Sequence, residues 1–177
     1  HQCQTVGIVG LGRIGRAFAH KTHGVGMSVA GYDPYVKQAD LPDYIALTNL
    51  DDLLRRSDVV SVHCPLTDET RHLLDEAKLS LMKPTAYLIN TARGHIVDEA
   101  ALDKQLSGKK LAGAAMDVLA AEPGPATHPL FKHDNFYCTP HMAWHSEESA
   151  QELKRKAAEE VRLVLRGEAP RYQVNKF

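Results

Sequence analysis

The sequence predicts an α/β fold, a doubly wound parallel sheet with helices on both faces. Two observations carry this. Short runs of Val, Ile, Leu and Ala with little polar alternation recur from one end of the chain almost to the other, as strands covered on both faces require. Segments of helical periodicity lie between them, and strand–helix alternation of this kind builds right-handed βαβ units. At 177 residues the chain is long enough for one ordinary domain with a sizeable core.

Residues 5–9 read as the first strand and 14–23 as a helix. Residues 28–32 are a second strand and 45–47 a short third, followed by a helical turn over 50–56. Residues 59–63 are a fourth strand. A short helix over 75–81 is closed by Pro84. Residues 86–90 make a fifth strand, and 99–106 a helix stopped by Gly108. Residues 111–116 and 136–138 are the sixth and seventh strands, and 147–166 a long helix. The longest irregular connection, residues 120–133, carries Pro123, Pro125 and Pro129, and long loops in compact domains are often functional.

The formal charge of −1 gives no electrostatic reason to expect a nucleic acid or an anionic membrane as partner. The basic run Lys154-Arg155-Lys156 falls in a helical pattern and reads as a solvated face. No apolar stretch is long enough to span a membrane. The three cysteines, Cys3, Cys64 and Cys138, fit no zinc spacing, and their odd number argues against a disulfide framework. A reducing cytoplasm is the expected compartment. The chain opens on His1 and enters a strand within a few residues, which reads as a fragment of a longer protein.

Gly10-Leu11-Gly12-Arg13-Ile14-Gly15 follows the first strand and opens the first helix. In that context G-x-G-x-x-G marks a dinucleotide-binding turn of the Rossmann type. Gly10 permits the turn, Gly12 lets a pyrophosphate approach the backbone, and Gly15 lets the helix pack on the strand. The helix start, with Arg13 and Ile14, offers N–H groups and partial positive charge to the phosphates. Asp33 ends the second strand, 23 residues after Gly10, where an acid reaches the adenosine ribose hydroxyls. A carboxylate there opposes the extra phosphate of NADP, and no arginine follows within two positions, so the expected cofactor is NAD. Residues 1–150 are expected to form this NAD-binding domain, and 151–177 a long helix and tail returning toward a second domain.

Chemistry in such a sheet belongs at the carboxyl ends of the strands. There the fifth strand runs into Asn90-Thr91-Ala92-Arg93-Gly94, the sixth into Asp117-Val118 and Glu122-Pro123, and the seventh into Thr139-Pro140-His141. Arg93, Glu122 and His141 make a sensible set for reducing a 2-oxo acid. Arg93 can bind the carboxylate and polarise the carbonyl. His141 can protonate the oxygen as hydride reaches the carbon. Glu122 can orient the imidazole and favour its protonated form. Each also admits a structural role: a surface arginine, an acid before a proline, one histidine among 10. His141 and His145 are four apart, but no third ligand motif accompanies them, so no metal is expected.

These segments together resemble the D-isomer-specific 2-hydroxyacid dehydrogenases, specifically their nucleotide-binding domain. The matching stretches are 6–16, 58–66, 88–97, 113–123 and 139–141 with the helix that follows, in the family's order. The resemblance implies that Arg93, Glu122 and His141 are catalytic. It implies that Asp117 holds the nicotinamide carboxamide, that His63-Cys64-Pro65 passes beside the cofactor, and that Thr91 and Ala92 line it together with Arg93 and His141. It further implies a homodimer and a second domain of roughly 100–150 residues, an ordinary domain size, closing over the site. The chain alone is then expected to bind NAD with little turnover. The stripe Ala150, Leu153, Ala157, Val161 and Leu165 on the last helix suits either the core or an interface.

Trp144 departs from the small residues common after the family's histidine. It is similar to the C-terminal-binding corepressor branch, where a tryptophan lies against the substrate pocket, and it equally suits an aromatic filling a domain contact. Two functions therefore stand. One is NAD-dependent reduction of a 2-oxo acid to a D-2-hydroxy acid, with Arg93, His141 and Trp144 at the substrate. The other is an NAD(H)-sensing interaction protein like the corepressors. A formate-type dehydrogenase is disfavoured, since that subgroup pairs its histidine with glutamine.

Overall fold

The computed structural model describes residues 4–173; Cys3 and the tail residues 174–177 lie outside them. Seven strands form one parallel sheet: β1 (Thr5–Val9), β2 (Ser28–Tyr32), β3 (Ile45–Leu47), β4 (Val59–Val62), β5 (Tyr87–Asn90), β6 (Gly113–Met116) and β7 (Phe136–Cys138). Their order is β3-β2-β1-β4-β5-β6-β7. The sheet grows outward from β1 in both directions, and the order reverses between β1 and β4. That crevice at the carboxyl edge is where a doubly wound sheet binds ligands.

The helices are α1 (Arg13–Gly24), α2 (Leu50–Arg56), α3 (Glu76–Leu79), α4 (Glu99–Ser107) and α5 (Glu147–Leu165). β1 shows why both faces are covered. Val6 and Ile8 point into a cluster with Ala19 of α1, Val29 and Ile45. Val9 points the other way, into a larger cluster with Leu53 and Leu54 of α2 and Val60, Leu88 and Leu102. Gly7 on that second face leaves room for α2, since a Cβ there would sit 2.2 Å from Ser57 Oγ.

The observed elements differ from the sequence reading mainly at their ends. The helix expected over 75–81 is only Glu76–Leu79, because Leu81 and Met82 turn back onto Lys78 O and Leu79 O in i→i+3 bonds. Three short 3-10 turns, Gln38–Asp40, Gly94–Ile96 and Pro129–Lys132, have no counterpart in the sequence reading. The connection after β6 is therefore partly ordered into a turn.

The chain divides after His141 into two compact units. In the second, Ser146 caps α5 through a reciprocal bond with Ser149. Leu153, Val161 and Leu165 of its apolar stripe are 60%, 60% and 82% exposed. The buried residue on this helix is Leu163, two positions from both Val161 and Leu165 and so off the stripe.

Candidate active site

The glycine turn is built by close approach. Gly10 takes φ +96°, and a Cβ there would lie 2.6 Å from Cys64 N. A Cβ on Gly15 would lie 2.0 Å from Gly10 O, so α1 sits directly on the turn. Gly12 is the contrast. Apart from its chain neighbours, no heavy atom of the described residues lies within 4 Å of a Cβ built there, and no side chain caps the helix it precedes. A helix N-terminus open at a glycine can take a phosphate onto its N–H groups. Arg13 is exposed, and Ile14 keeps 69% of its surface in the open beside that end. These residues fit a dinucleotide.

Asp33 joins the turn to the end of β2. Its Oδ2 accepts from Leu11 N at 2.9 Å and its Oδ1 from Tyr35 N at 3.0 Å. Each oxygen retains a lone pair that a ribose hydroxyl could use. A cleft of about 150 Å³ opens there, lined by Gly10, Asp33, Tyr35, Cys64, Pro65 and Thr70 among others. Cys64 and Pro65 thus flank this cleft. The His63 ring turns instead toward Ser61 Oγ, 2.9 Å from Nε2, and toward Phe18 of α1 at 5.1 Å. Burial holds the His63 imidazole below its ordinary range, and burial pushes the Cys64 thiol up to about 11.

At the ends of β5 to β7 the backbone is fastened by side chains. Asn90 is fully buried. Its Oδ1 accepts from Ala92 N and its Nδ2 donates to Arg93 O, both at 3.0 Å. These bonds fold Thr91, Ala92 and Arg93 into a fixed loop, with the Arg93 and Thr91 side chains exposed. Asp117 is 4% exposed, and Thr139 Oγ1 donates to its Oδ1 at 2.5 Å.

His141 N donates to Asp117 O at 2.8 Å, which holds His141 in the left-handed region at φ +53°, uncommon for a residue with a Cβ. From there its Nδ1 lies 2.8 Å from Glu122 Oε2, while Glu122 Oε1 accepts from Leu119 N at 3.1 Å. A cleft of about 660 Å³ opens beside the pair, lined by Asp117, Leu119, Glu122, Phe131, Thr139 and His141 among others.

The structure thus brings Asp117, Glu122 and His141 to one cleft, with Arg93 on the adjacent loop, its Nη1 donating to Ala92 O at 2.6 Å. Trp144 falls in the second unit, 52% exposed and edge-on to His145. His141 and His145 share no helix, since α5 begins at Glu147. Among the described residues no three His, Cys, Asp or Glu gather as a metal site, and no helix is long and apolar enough to cross a membrane. Asn90 and Thr139 stand in the motifs read from the sequence, but their fastening roles were not. An amide or hydroxyl inside a strand-end motif was the available signal.

Comparison with known proteins identifies the family. Residues 1–143 match the family model for the D-isomer specific 2-hydroxyacid dehydrogenase NAD-binding domain. The chain is 47% identical over 176 residues to a glyoxylate reductase of Thermofilum pendens, covering 98% of this chain and 52% of that protein. It is 37% identical over 174 residues to a D-3-phosphoglycerate dehydrogenase of Methanocaldococcus jannaschii, covering 97% and 33%. A D-isomer specific 2-hydroxyacid dehydrogenase from Lactobacillus delbrueckii, solved in its NAD-complexed form, superposes with TM-score 0.89 at 34% identity, covering 97% and 56%. The chain therefore spans about half the length of the first of these relatives, or less.

Proposed function

The chain belongs to the D-isomer specific 2-hydroxyacid dehydrogenases as an NAD-binding domain, and from that premise we propose that the protein reduces a small 2-oxo acid to a D-2-hydroxy acid. The observation that carries the reading is the His141–Glu122 pair, 2.8 Å apart at the carboxyl edge of the sheet. Bound there, NADH supplies a hydride to the carbonyl carbon. Gly12 and the start of α1 hold the pyrophosphate, Asp33 the adenosine ribose, and Asp117 the carboxamide.

The protein's own groups do the rest. Arg93 binds the substrate carboxylate and polarises the carbonyl. His141 delivers a proton from Nε2 to the carbonyl oxygen, so the C=O becomes CH–OH with one hydride and one proton consumed. Glu122 accepts at Nδ1, which fixes the ring's orientation and faces the imidazolium with a carboxylate. A proton donor so placed contributes about 10²–10⁴-fold. The similarity to a glyoxylate reductase makes glyoxylate the first substrate to try. The reading extends to a homodimer in the cytoplasm, the assembly that the family resemblance implies.

The test is NADH oxidation by the intact protein against a panel of 2-oxo acids. Turnover lost in His141→Gln supports the reading. Tight NADH binding without turnover on any acid would move the assignment to an NAD(H)-sensing interaction protein, the second reading that the half-exposed Trp144 keeps open.

A further inference from the structure

We propose that Glu99, outside the constellation above, is a positioning residue that holds Arg93 and the His141–Glu122 pair in mutual register. The proposal rests on the hydride-transfer reading of the site. Glu99 opens α4, but the helix start is already capped by Asp98, whose Oδ1 accepts from Ala100 N and Ala101 N at 3.0 and 3.1 Å. Glu99 is therefore not spent on its own helix. Its side chain, only 18% exposed, crosses to the connection after β6. Oε1 accepts from Ala120 N at 2.7 Å and Oε2 lies 3.3 Å from His128 Nε2. A carboxylate taken this far out of water needs such partners.

What Glu99 grips is the peptide between Leu119 and Ala120. Gly94 is seated against that same peptide: a Cβ there would come within 2.0 Å of Leu119 C and 2.4 Å of Ala120 N. Gly94 immediately follows Arg93. On the other side, Leu119 N donates to Glu122 Oε1 at 3.1 Å, and Glu122 Oε2 meets His141 Nδ1 at 2.8 Å. Leu119, the residue between two consecutive peptides, thus links the loop that carries Arg93 to the acid that aims His141. Fixing it fixes their separation.

A second acid supports the arrangement. Asp103 lies four residues further along, on the same face of α4. It meets His133 Nε2 at 2.7 Å and Lys132 Nζ at 3.0 Å. The two acids hold the connection at both ends, where its own sequence of glycine, prolines and small residues would leave it many conformations.

In the intact protein, Glu99→Ala is expected to lower kcat about 10–100-fold, the scale of a misplacement near 1 Å. KM for NADH should change less than kcat, because the glycine turn and Asp33 follow β1 and β2, on other strands of the sheet. Glu99→Gln keeps an oxygen for Ala120 N–H and should recover most of kcat. A residue that only stabilised the fold would lower the melting temperature and leave kcat per folded molecule intact. Should Glu99→Ala not fold, Glu99→Asp, one methylene too short to reach Ala120, is read in its place.

Amide hydrogen exchange tests the clamp without a substrate. In Glu99→Ala or Glu99→Asp, exchange should quicken at both Ala120 and Leu119, since releasing Ala120 N–H also loosens the adjoining Leu119 N–H bond to Glu122. Unchanged kcat in these variants, no rescue by Gln, or quickening at Ala120 alone would each overturn the proposal. Absence of turnover in the unmodified protein would overturn the hydride-transfer reading only, and the exchange result would still decide the clamp.

Discussion

His141 meets Glu122 across 2.8 Å from a left-handed backbone conformation, φ +53°. The strain of that conformation is offset by the bond from His141 N to Asp117 O at 2.8 Å. Backbone and side chain of one residue thus tie the end of β7 to the loop after β6. The arrangement predicts unequal losses. His141→Gln removes the proton donor and should lower kcat by about 10²–10⁴. Glu122→Gln can still accept at Nδ1 but lacks the charge, so its loss should be smaller. Steady-state kcat on one 2-oxo acid checks both; a larger loss in Glu122→Gln would refute the division of roles.

Asp33 has two jobs, and a substitution should separate them. Its oxygens fasten Leu11 N and Tyr35 N, and in the proposed binding mode its charge would face the extra phosphate of NADP. Asp33→Ser should weaken NADH use and relieve repulsion of NADPH. A change in kcat/KM preference of about 10–100-fold, worth about 1.4–2.7 kcal/mol, is the expected scale for one partly screened charge. An unaltered preference ratio would mean that the carboxylate serves the turn alone.

The glycines should respond differently to the same change. Gly15→Ala drives a Cβ to 2.0 Å from Gly10 O, a backbone atom with nowhere to go, and should cost about 1–3 kcal/mol or more. Gly12→Ala meets nothing within 4 Å at an extended φ of −69°, so the fold should keep its melting temperature. Its methyl would occupy the approach of the pyrophosphate, and NADH affinity should fall. Calorimetry and cofactor titration on the same two variants decide this. Normal NADH binding by Gly12→Ala would remove Gly12 from the site.

Much of this was legible in the sequence because its causes are local. β1, β2, β3 and β7 begin and end where the apolar runs do; for β1, at the centre of the sheet, the cause is burial on both faces. The glycine turn and Asp33 were legible by spacing. What escaped was long-range. Glu99 looks like any acid in a helix's first turn until Ala120 and His128, 21 and 29 residues away, arrive beside it. Asn90 and Thr139 looked like members of motifs, and only the fold shows which backbone they fasten. The family resemblance set His63 beside Cys64 and Pro65, and only the fold shows its ring against Ser61 and Phe18.

That last placement makes stability depend on pH. Burial depresses the His63 imidazole below its unfolded value of 6.5. The unfolded chain therefore takes up the proton first, so stability rises with pH in this window. The contribution is complete above 6.5 and is lost as pH falls from there toward the folded value. The carboxylates act lower. Lys83 and the Thr5 N–H hold Asp58, and His133 and Lys132 hold Asp103, below the ordinary 3.8, so their contributions persist until more acid conditions. Melting temperature should therefore decline between about pH 7 and about pH 5. His63→Gln can keep a hydrogen bond to Ser61 but does not titrate, and should flatten that decline. An identical slope in the variant would show that His63 is not the group responsible.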